Sequence, residues 1–352
     1  MSRSITTAPA ARRTAASALV LTPLVIAAAL FVYKTRSAFA VLRSTWSSGT
    51  IAGRPHVVAF GAQFADVDVL QRSLNYFAVI WPALAFGVLI AAAVRAFVPP
   101  DSIVRLIGPR TLTAQLRAGL AGAPLMLCSC CATPLFGSVA ESCGRIAPAI
   151  AVLLASPSLN PAALALTFML FDPRIAAVRL LLAISAVVAI GPLAERFAAN
   201  TTLQFLRYTN PDEPANVPAA LKFLRAVGMV ATRTVPGVVA GVLISMLIVQ
   251  ALPPSAFASA GARVMSVIFA ATIAVPLALP TFLEIPLALG LLAAGFPGGA
   301  AAALLFAGPA INLPSLFSIA RVGGWKGAVI VAAAIWGLAV LGGLLVEFAV
   351  LV

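Results

Sequence analysis

The chain has 352 residues, of which 62% are hydrophobic and only 9% are charged. Soluble domains carry about 25% charged residues, so a soluble fold of this length would leave large apolar patches facing water. The composition therefore excludes an ordinary soluble protein and predicts a chain embedded in a lipid bilayer. The net charge of +13 does not indicate a nucleic-acid partner, because the basic residues are scattered singly between apolar runs, as in a membrane protein that obeys the positive-inside rule.

The N-terminal part of the chain predicts one transmembrane helix followed by a loop. We interpret residues 1–14 as a basic cytoplasmic N-terminus and residues 15–33 as an uncleaved transmembrane helix, because this apolar run is long for the core of a signal peptide. A polar loop follows at 34–73 and contains the only histidine, His56. A lone histidine in such a stretch is typical of a solvated loop, so we assign it no role.

The rest of the chain is nearly all apolar and divides into two halves, 74–195 and 226–352, around the polar stretch 196–225. A bilayer crossing needs about 20 apolar residues, and most of the apolar runs reach that length. The pattern predicts an all-α polytopic membrane protein with one extra N-terminal transmembrane helix. The runs lie at 74–98, 119–142, 146–171, 174–194, 226–251, 264–295, 298–320 and 325–350.

The two halves carry prolines and asparagines in the same register. At an offset of 152 residues, Pro124 matches Pro276, and Asn160 matches Asn312. Both residue types are costly in helix interiors, so their coincidence indicates an internal repeat. Repeats built around broken helices are the usual architecture of secondary transporters, and this is the strongest functional signal that pattern alone supplies.

The second run of each half is interrupted near its middle by polar residues and prolines. The interruption lies at 128–134 in the first half and at 280–286 in the second. Thr133 and Pro134 are typical of the cap and first residue of a new half-helix. The flanking pieces are about 15 Å long, which reaches the bilayer midplane and no further. Each element is therefore either a broken crossing helix or a re-entrant hairpin.

Basic residues in the loops favour the hairpins. If both elements cross the bilayer, the Lys and Arg residues divide evenly between the two sides. If both are hairpins, the cytoplasmic side has the excess that the positive-inside rule requires. Hairpins leave three crossings per half, so the second half is inverted relative to the first. We predict seven crossings and two hairpins that enter from opposite faces.

The third run of each half is also broken. The breaks read Ser-Pro-Ser-Leu-Asn-Pro at 156–161 and Gly-Pro-Ala-Ile-Asn-Leu-Pro at 308–314, and Asn160 can cap the half-helix that Pro161 begins. Unwound backbone at membrane depth is tolerated only inside protein or beside a water-filled cavity. We expect both hairpins and both breaks to converge on one polar site. Asparagine as a packing residue between helices is the alternative.

Three cysteines at the first interruption, Cys128, Cys130 and Cys131, form a candidate thiol site. Thiolates prefer soft partners, so the cluster predicts binding of a soft metalloid rather than a resident metal. Packing of small apolar side chains is the alternative. A structural disulfide is disfavoured, because Cys130 and Cys131 are adjacent and the midplane is remote from oxidising machinery. Cys143 is interpreted as a packing or loop residue.

Glu284, at the second interruption, is the most conspicuous single charge. It matches Ala132 in the repeat and has no cation near it in the sequence. A carboxylate at that depth is by default a functional hypothesis. Uptake and release of a proton by Glu284 would couple solute movement to the proton gradient; a protonated structural acid bonded to the hairpin backbone is the alternative. Arg233, within another apolar run, is a candidate partner.

Four of these motifs, in this order, resemble the YraQ-type permeases, a family related to the ArsP organoarsenical efflux permeases. The resemblance covers residues 74–350 and rests on the segments 128–134, 155–161, 279–287 and 308–315. It implies a bacterial inner-membrane permease and makes trivalent arsenicals one substrate suggestion. The second half has no cysteine at its interruption, which argues against a site built from thiols of both halves.

The sequence as a whole predicts a multi-pass inner-membrane permease with no cofactor. It would act as a secondary transporter for a small thiophilic or anionic solute. Export is one option for the direction of transport. The alternative is a membrane-embedded thiol redox or sulfur-transfer enzyme. The oligomeric state is left open. The residues predicted to bind or transport the solute are Cys128, Ser129, Cys130, Cys131, Pro134, Ser156, Asn160, Thr281, Glu284 and Asn312, and Glu284 is also predicted to couple transport to protons.

Overall fold

The fold is a bundle of apolar helices. The computed structural model describes residues 20–48, 69–108, 111–197, 217–251, 263–279, 282–293 and 295–349. Within these ranges the chain is helical and contains no strand. Among the described residues, five helices are long and apolar enough to cross a membrane, and a sixth span results if one pair of helices, bent by 42°, counts as one. The prediction of an all-α polytopic membrane protein is confirmed.

The described residues of the first part of the chain form eight helices. A short 3₁₀ turn at 123–125 lies just before the first interruption, and the helix Pro100–Ile107 lies between two of the predicted runs. The helices are α1 (Thr22–Ser48), α2 (Val69–Phe97), α3 (Pro100–Ile107), α4 (Thr111–Gly122), α5 (Ser129–Cys143), α6 (Ile146–Ser158), α7 (Pro161–Leu170) and α8 (Pro173–Phe197).

The second part forms five helices within the residues that the structure describes. The last of them is long and contains Gly324, whose backbone (φ 78°, ψ 162°) is not helical, so it consists of two helices joined at a kink. The five are α9 (Ala219–Ala251), α10 (Arg263–Ala274), α11 (Glu284–Ala293), α12 (Gly298–Ala310) and α13 (Leu313–Ala349).

Helix α1 continues past the predicted loop boundary. It was expected to end at residue 33, but it runs to Ser48. Lys34 and Arg36 do not end it, because lysine and arginine are good helix formers and extend their charged ends toward water. His56 lies outside the described residues.

The helix boundaries repeat at the offset of 152 residues. Helix α4 corresponds to α10, and α6 corresponds to α12, with both ends of each pair in register. The start of α7 corresponds to the start of α13, and Gly324 corresponds to Asp172 in the link between α7 and α8. This agreement supports the repeat, with α13 as the counterpart of α7 and α8 together.

One hydrogen bond is also found in both halves. The backbone N–H of Ala147 donates to Glu195 Oε1 at 3.5 Å, and the backbone N–H of Gly299 donates to Glu347 Oε2 at 3.3 Å. Both residues of the first bond match those of the second at the same offset. In each half, a carboxylate late in the last helix thus holds the first turn of the helix that follows the hairpin.

Ion pairs indicate that each interrupted element returns to the end of the bundle where it began. Glu347 contacts both the Nε of Arg263, where α10 starts, at 3.4 Å and the N–H of Gly299, just after α11 ends. In the first half, Glu141 near the end of α5 pairs with Arg95 near the end of α2. Full crossings would put these partners on opposite faces, so the pairs favour re-entrant hairpins. The orientation of the hairpins in the cell stays a prediction.

Candidate solute-binding site

Helix α5 begins four residues before Thr133, which corrects the predicted start of the half-helix. Its N-cap is Cys128, and Pro134 lies inside the helix. A proline in a helix leaves the carbonyl four residues earlier without its usual N–H donor. Here the Thr133 hydroxyl donates to the Cys130 carbonyl oxygen at 2.6 Å and replaces that bond. The cysteines therefore occupy the cap and first turn of α5 rather than a loop before it.

Cys128, Cys130 and Cys131 form a thiol cluster. All three are buried, and their sulfur atoms lie within 4.8 Å of one another. The sulfur of Cys130 lies 3.2 Å from that of Cys128 and 3.9 Å from that of Cys131. Cys128 and Cys131 are joined in a disulfide, contrary to expectation. The helix start explains the pairing, because the cap and third positions bring their Cα atoms to 5.2 Å, within the usual disulfide range.

Helices α1 and α2 supply the surroundings of the thiol cluster. The buried Tyr76 hydroxyl forms a hydrogen bond of 3.3 Å with the sulfur of Cys130. Lys34 of α1 lies close enough for its charge to act on the same thiol. A Cβ added at Gly87 would collide with the Cys131 carbonyl oxygen, so the glycine allows α2 to pack directly on the first turn of α5. Sequence reasoning missed Tyr76 and Lys34, which are distant in the chain and lie in no motif.

Glu284 has a buried cationic partner that the sequence analysis missed. Its Oε1 lies 3.0 Å from the Nη2 of Arg179 on α8, and the two side chains are only 2% and 1% exposed. The Nη1 of Arg179 also donates to the Thr167 hydroxyl at 2.5 Å. The predicted partner, Arg233, pairs instead with Glu141 at 3.0 Å. We call Glu284, Arg179 and Thr167 the charge cluster.

The two asparagines cap the half-helices at the two breaks. The Asn160 Oδ1 accepts hydrogen bonds from the N–H groups of Ala162 at 3.0 Å and Ala163 at 3.3 Å, as predicted. Asn312 Oδ1 accepts from the N–H of Ser315 at 3.1 Å. The Nδ2 groups of both asparagines are buried and have no hydrogen-bond partner in the part of the chain that the structure describes. Each break therefore has an unused amide donor.

Each break packs against the hairpin of its own half. The Ser156 hydroxyl donates to the Gly122 carbonyl oxygen at 3.0 Å. The matching Gly308 lies beside Glu284, since an added Cβ would be 3.8 Å from the Cβ of that residue. Ser129 is buried without a hydrogen-bond partner for its hydroxyl among the described residues, and Thr281 lies outside them. The convergence of both hairpins on a single site stays a prediction.

A cavity of about 340 Å³ lies between α9 and α13. Neither the thiol cluster nor the charge cluster contributes to its lining. With their side chains almost fully buried, both clusters are closed to solvent in this conformation. The residues lining the cavity are Gly237, Phe317, Ala320, Arg321 and Trp325.

Comparison with known proteins places this architecture in a family. The model of the ArsP_1 family, described as a predicted permease, matches residues 67–348, which include both clusters. The chain belongs to this family of predicted permeases. It is 27% identical over 266 residues to the UPF0718 protein YraQ of Escherichia coli K12, covering 73% of this chain and 75% of that protein.

A second relative is a UPF0718 protein of Methanocaldococcus jannaschii, 32% identical over 100 residues, which are 28% of this chain and 27% of the relative. No solved structure matches the chain. Family membership and the apolar helices together identify a multi-pass membrane permease, and the resemblance seen in the sequence is confirmed.

Proposed function

We propose that this permease is a secondary transporter that recognises a small thiophilic solute at the thiol cluster. The observation that carries the proposal is the placement of three buried sulfur atoms within 4.8 Å of one another at a helix start. Three thiolates at this spacing suit a soft, three-coordinate centre such as trivalent arsenic, whereas hydroxyl or carboxylate ligands would not. The broken helices of both halves are the elements that line solute sites in transporters.

The disulfide between Cys128 and Cys131 defines two states of the thiol cluster. With the disulfide formed, Cys130 is the only free thiol of the three. Reduction by two electrons and two protons restores three thiols. We therefore assign solute binding to the reduced form, which is the form that a reducing cytoplasm maintains.

Coupling to protons is assigned to Glu284. A carboxylate buried beside Arg179 loses its charge when it takes up a proton, and the ion pair then weakens. Because this pair joins the hairpin of the second half to α8 of the first, a change in it alters a contact between the two halves. This link supports the coupling of solute movement to the proton gradient.

Transport into everted membrane vesicles tests the proposal. Phenylarsine oxide serves as the solute, with a phosphine reductant because dithiols would bind the arsenical, and accumulated arsenic is measured by mass spectrometry. We expect Cys128→Ser/Cys130→Ser/Cys131→Ser to reduce accumulation about tenfold or more, because a hydroxyl does not replace a thiolate for a soft centre. Cys143→Ser, a cysteine at the far end of α5, is the matched control and keeps the unmutated rate. Unchanged accumulation in the triple variant would show that the cysteines serve only in packing.

A membrane-embedded thiol enzyme is the second candidate, and the disulfide favours it. The sulfur of Cys130 lies 3.2 Å from that of Cys128. Attack of the Cys130 thiolate on Cys128 would form a Cys128–Cys130 disulfide and release Cys131 as the thiolate. Such an enzyme would pass electrons to a thiol or quinone without moving solute across the membrane. Vesicles in which the cysteines turn over reductant, but arsenic does not accumulate, would support the enzyme over the transporter.

A further inference from the structure

The charge cluster breaks the symmetry between the two halves. At the offset of 152 residues, Glu284 matches Ala132 and Arg179 matches Val331. A buried ion pair therefore occupies positions at which the other half of the repeat has two apolar residues. Replacing buried ion pairs by apolar residues is often neutral or stabilising, so packing alone does not explain the retention of two charges here.

The pair is also incompletely satisfied. The Nε of Arg179 and the Oε2 of Glu284 have no hydrogen-bond partner among the described residues. Arginine and carboxylate groups in a fixed structural pair commonly meet through two parallel hydrogen bonds, and here a single oxygen of Glu284 lies against Arg179. The guanidinium thus keeps a buried, unused donor that is suited to a second acceptor.

No other charge competes for the guanidinium from the nearest helices. Helices α6, α7 and α12 contain no acidic, basic, histidine or cysteine residue, and Glu284 is the only such residue of α11. On α8, Glu195 pairs with Arg145, and Arg174 and Arg196 lie toward the helix ends. The remaining ionisable residues of α4 and α13 are Arg117, Arg321, Lys326 and Glu347, the last of which pairs with Arg263.

We propose that Arg179 binds the negative charge of the transported solute in exchange for Glu284. Glu284 takes up one proton, becomes a neutral acid and moves away from the guanidinium. An anionic group of the solute then takes its place beside Arg179. If the solute is a monovalent anion, the net charge of the buried site is zero before and after this exchange. The exchange therefore leaves no unpaired charge at membrane depth. The inference rests on the proposed transport function and narrows its substrate class to anions that carry a thiophilic centre.

Two arsenicals that differ only in charge test this role. Phenylarsine oxide is neutral, and its 4-carboxy derivative carries a carboxylate that stays ionised between pH 6 and 8. The variants are Glu284→Gln, which frees Arg179, and Arg179→Gln/Glu284→Gln, which removes the pair without leaving an orphan charge. Dissociation constants are measured on the purified, reduced protein by equilibrium dialysis, with arsenic counted by mass spectrometry.

We expect Glu284→Gln to bind the carboxy derivative at least as tightly as the unmutated protein does, with no dependence on pH between 6 and 8. The double variant should bind it roughly 10- to 100-fold more weakly than Glu284→Gln, the range for loss of a charged hydrogen bond. Phenylarsine oxide should bind both variants within about twofold of each other, which also shows that the double variant is folded.

Four results would overturn the inference. Equal binding of the carboxy derivative by the two variants would show that Arg179 does not bind the solute. Loss of that binding already in Glu284→Gln would make the pair structural. Binding of phenylarsine oxide alone by the unmutated protein would leave the proposed transporter standing but restrict it to neutral solutes, whereas binding of neither arsenical would contradict both proposals.

Discussion

At the scale of residues, some side chains of the candidate site can be identified from the local sequence and others cannot. Cys128, Cys130 and Cys131 are close in the chain, and Glu284 is a rare charge in an apolar run, so the sequence alone singles them out as candidates. Tyr76 and Arg179 contact them from 54 and 105 residues away. A single tyrosine or arginine in an apolar helix carries no periodic signal, so only the folded structure identifies these partners.

The residue that we assign to coupling gives a direct prediction. Glu284→Gln keeps the size of the side chain and one oxygen acceptor for Arg179, but it does not titrate. We expect everted vesicles with this variant to exchange labelled arsenical across the membrane and to lose accumulation driven by a pH gradient. The measurement compares arsenic content with and without the gradient.

Glu195→Gln is the matched control for Glu284→Gln, because Glu195 also forms an ion pair but lies near the end of α8, partly exposed. It should retain gradient-driven accumulation. Accumulation by Glu284→Gln at the unmutated rate would show that this glutamate is a buried structural acid.

At the scale of elements, the sequence predicted the breaks in the helices better than it predicted where helices start. Asn160 caps a half-helix as expected because its Oδ1 and the proline that follows it both favour a helix start. Pro134 has the same proline signal, yet it lies inside α5. The deciding factor is the Thr133 hydroxyl, which supplies the bond that the proline lacks, and this local compensation is invisible in a proline pattern.

The packing of α2 on α5 predicts a sensitive glycine. Alanine is favoured over glycine in a helix by about 1 kcal/mol, so Gly87→Ala should stabilise α2 in isolation. In the protein its Cβ would collide with the Cys131 carbonyl oxygen and displace the first turn of α5. We expect weaker binding of phenylarsine oxide by equilibrium dialysis.

Gly137→Ala, on α5 itself, is the control for Gly87→Ala. A Cβ added at Gly137 meets nothing within 4 Å, so this variant should bind phenylarsine oxide like the unmutated protein. Equal affinity in both variants, at equal abundance in the membrane, would show that the contact of α2 with α5 does not position the thiol cluster.

At the scale of the whole molecule, the repeat is predicted from sequence because prolines and asparagines recur at one offset. The matched helix boundaries and the matched bonds of Glu195 and Glu347 support it. The length of α1 could not be predicted from the sequence, since charged residues occur at a membrane boundary both where a helix ends and where it continues into water. The ion pair between Glu284 and Arg179 could not be predicted from the sequence either, because it depends on how the two halves pack.

The inverted arrangement predicts the side of the membrane on which each loop lies. Reporter proteins fused within 196–225 should be active in the cytoplasm, and those fused within 253–263 should be active outside. This follows from three crossings and one hairpin per half, together with the excess of basic residues in the first of these loops. A periplasmic 196–225 loop would show that the interrupted elements cross the bilayer.

The proposed function makes the three cysteines at the start of α5 the ligands of the transported solute. X-ray absorption at the arsenic edge, on the purified and reduced protein with phenylarsine oxide bound, measures the atoms around arsenic directly. We predict two sulfur neighbours drawn from Cys128, Cys130 and Cys131, because the phenyl carbon keeps the third position of the arsenic. We also predict an unchanged spectrum in Cys143→Ser and no arsenic–sulfur signal in Cys128→Ser/Cys130→Ser/Cys131→Ser. Arsenic that stays bound through sulfur in that triple variant, or that is bound by the unmutated protein without sulfur, would contradict the account.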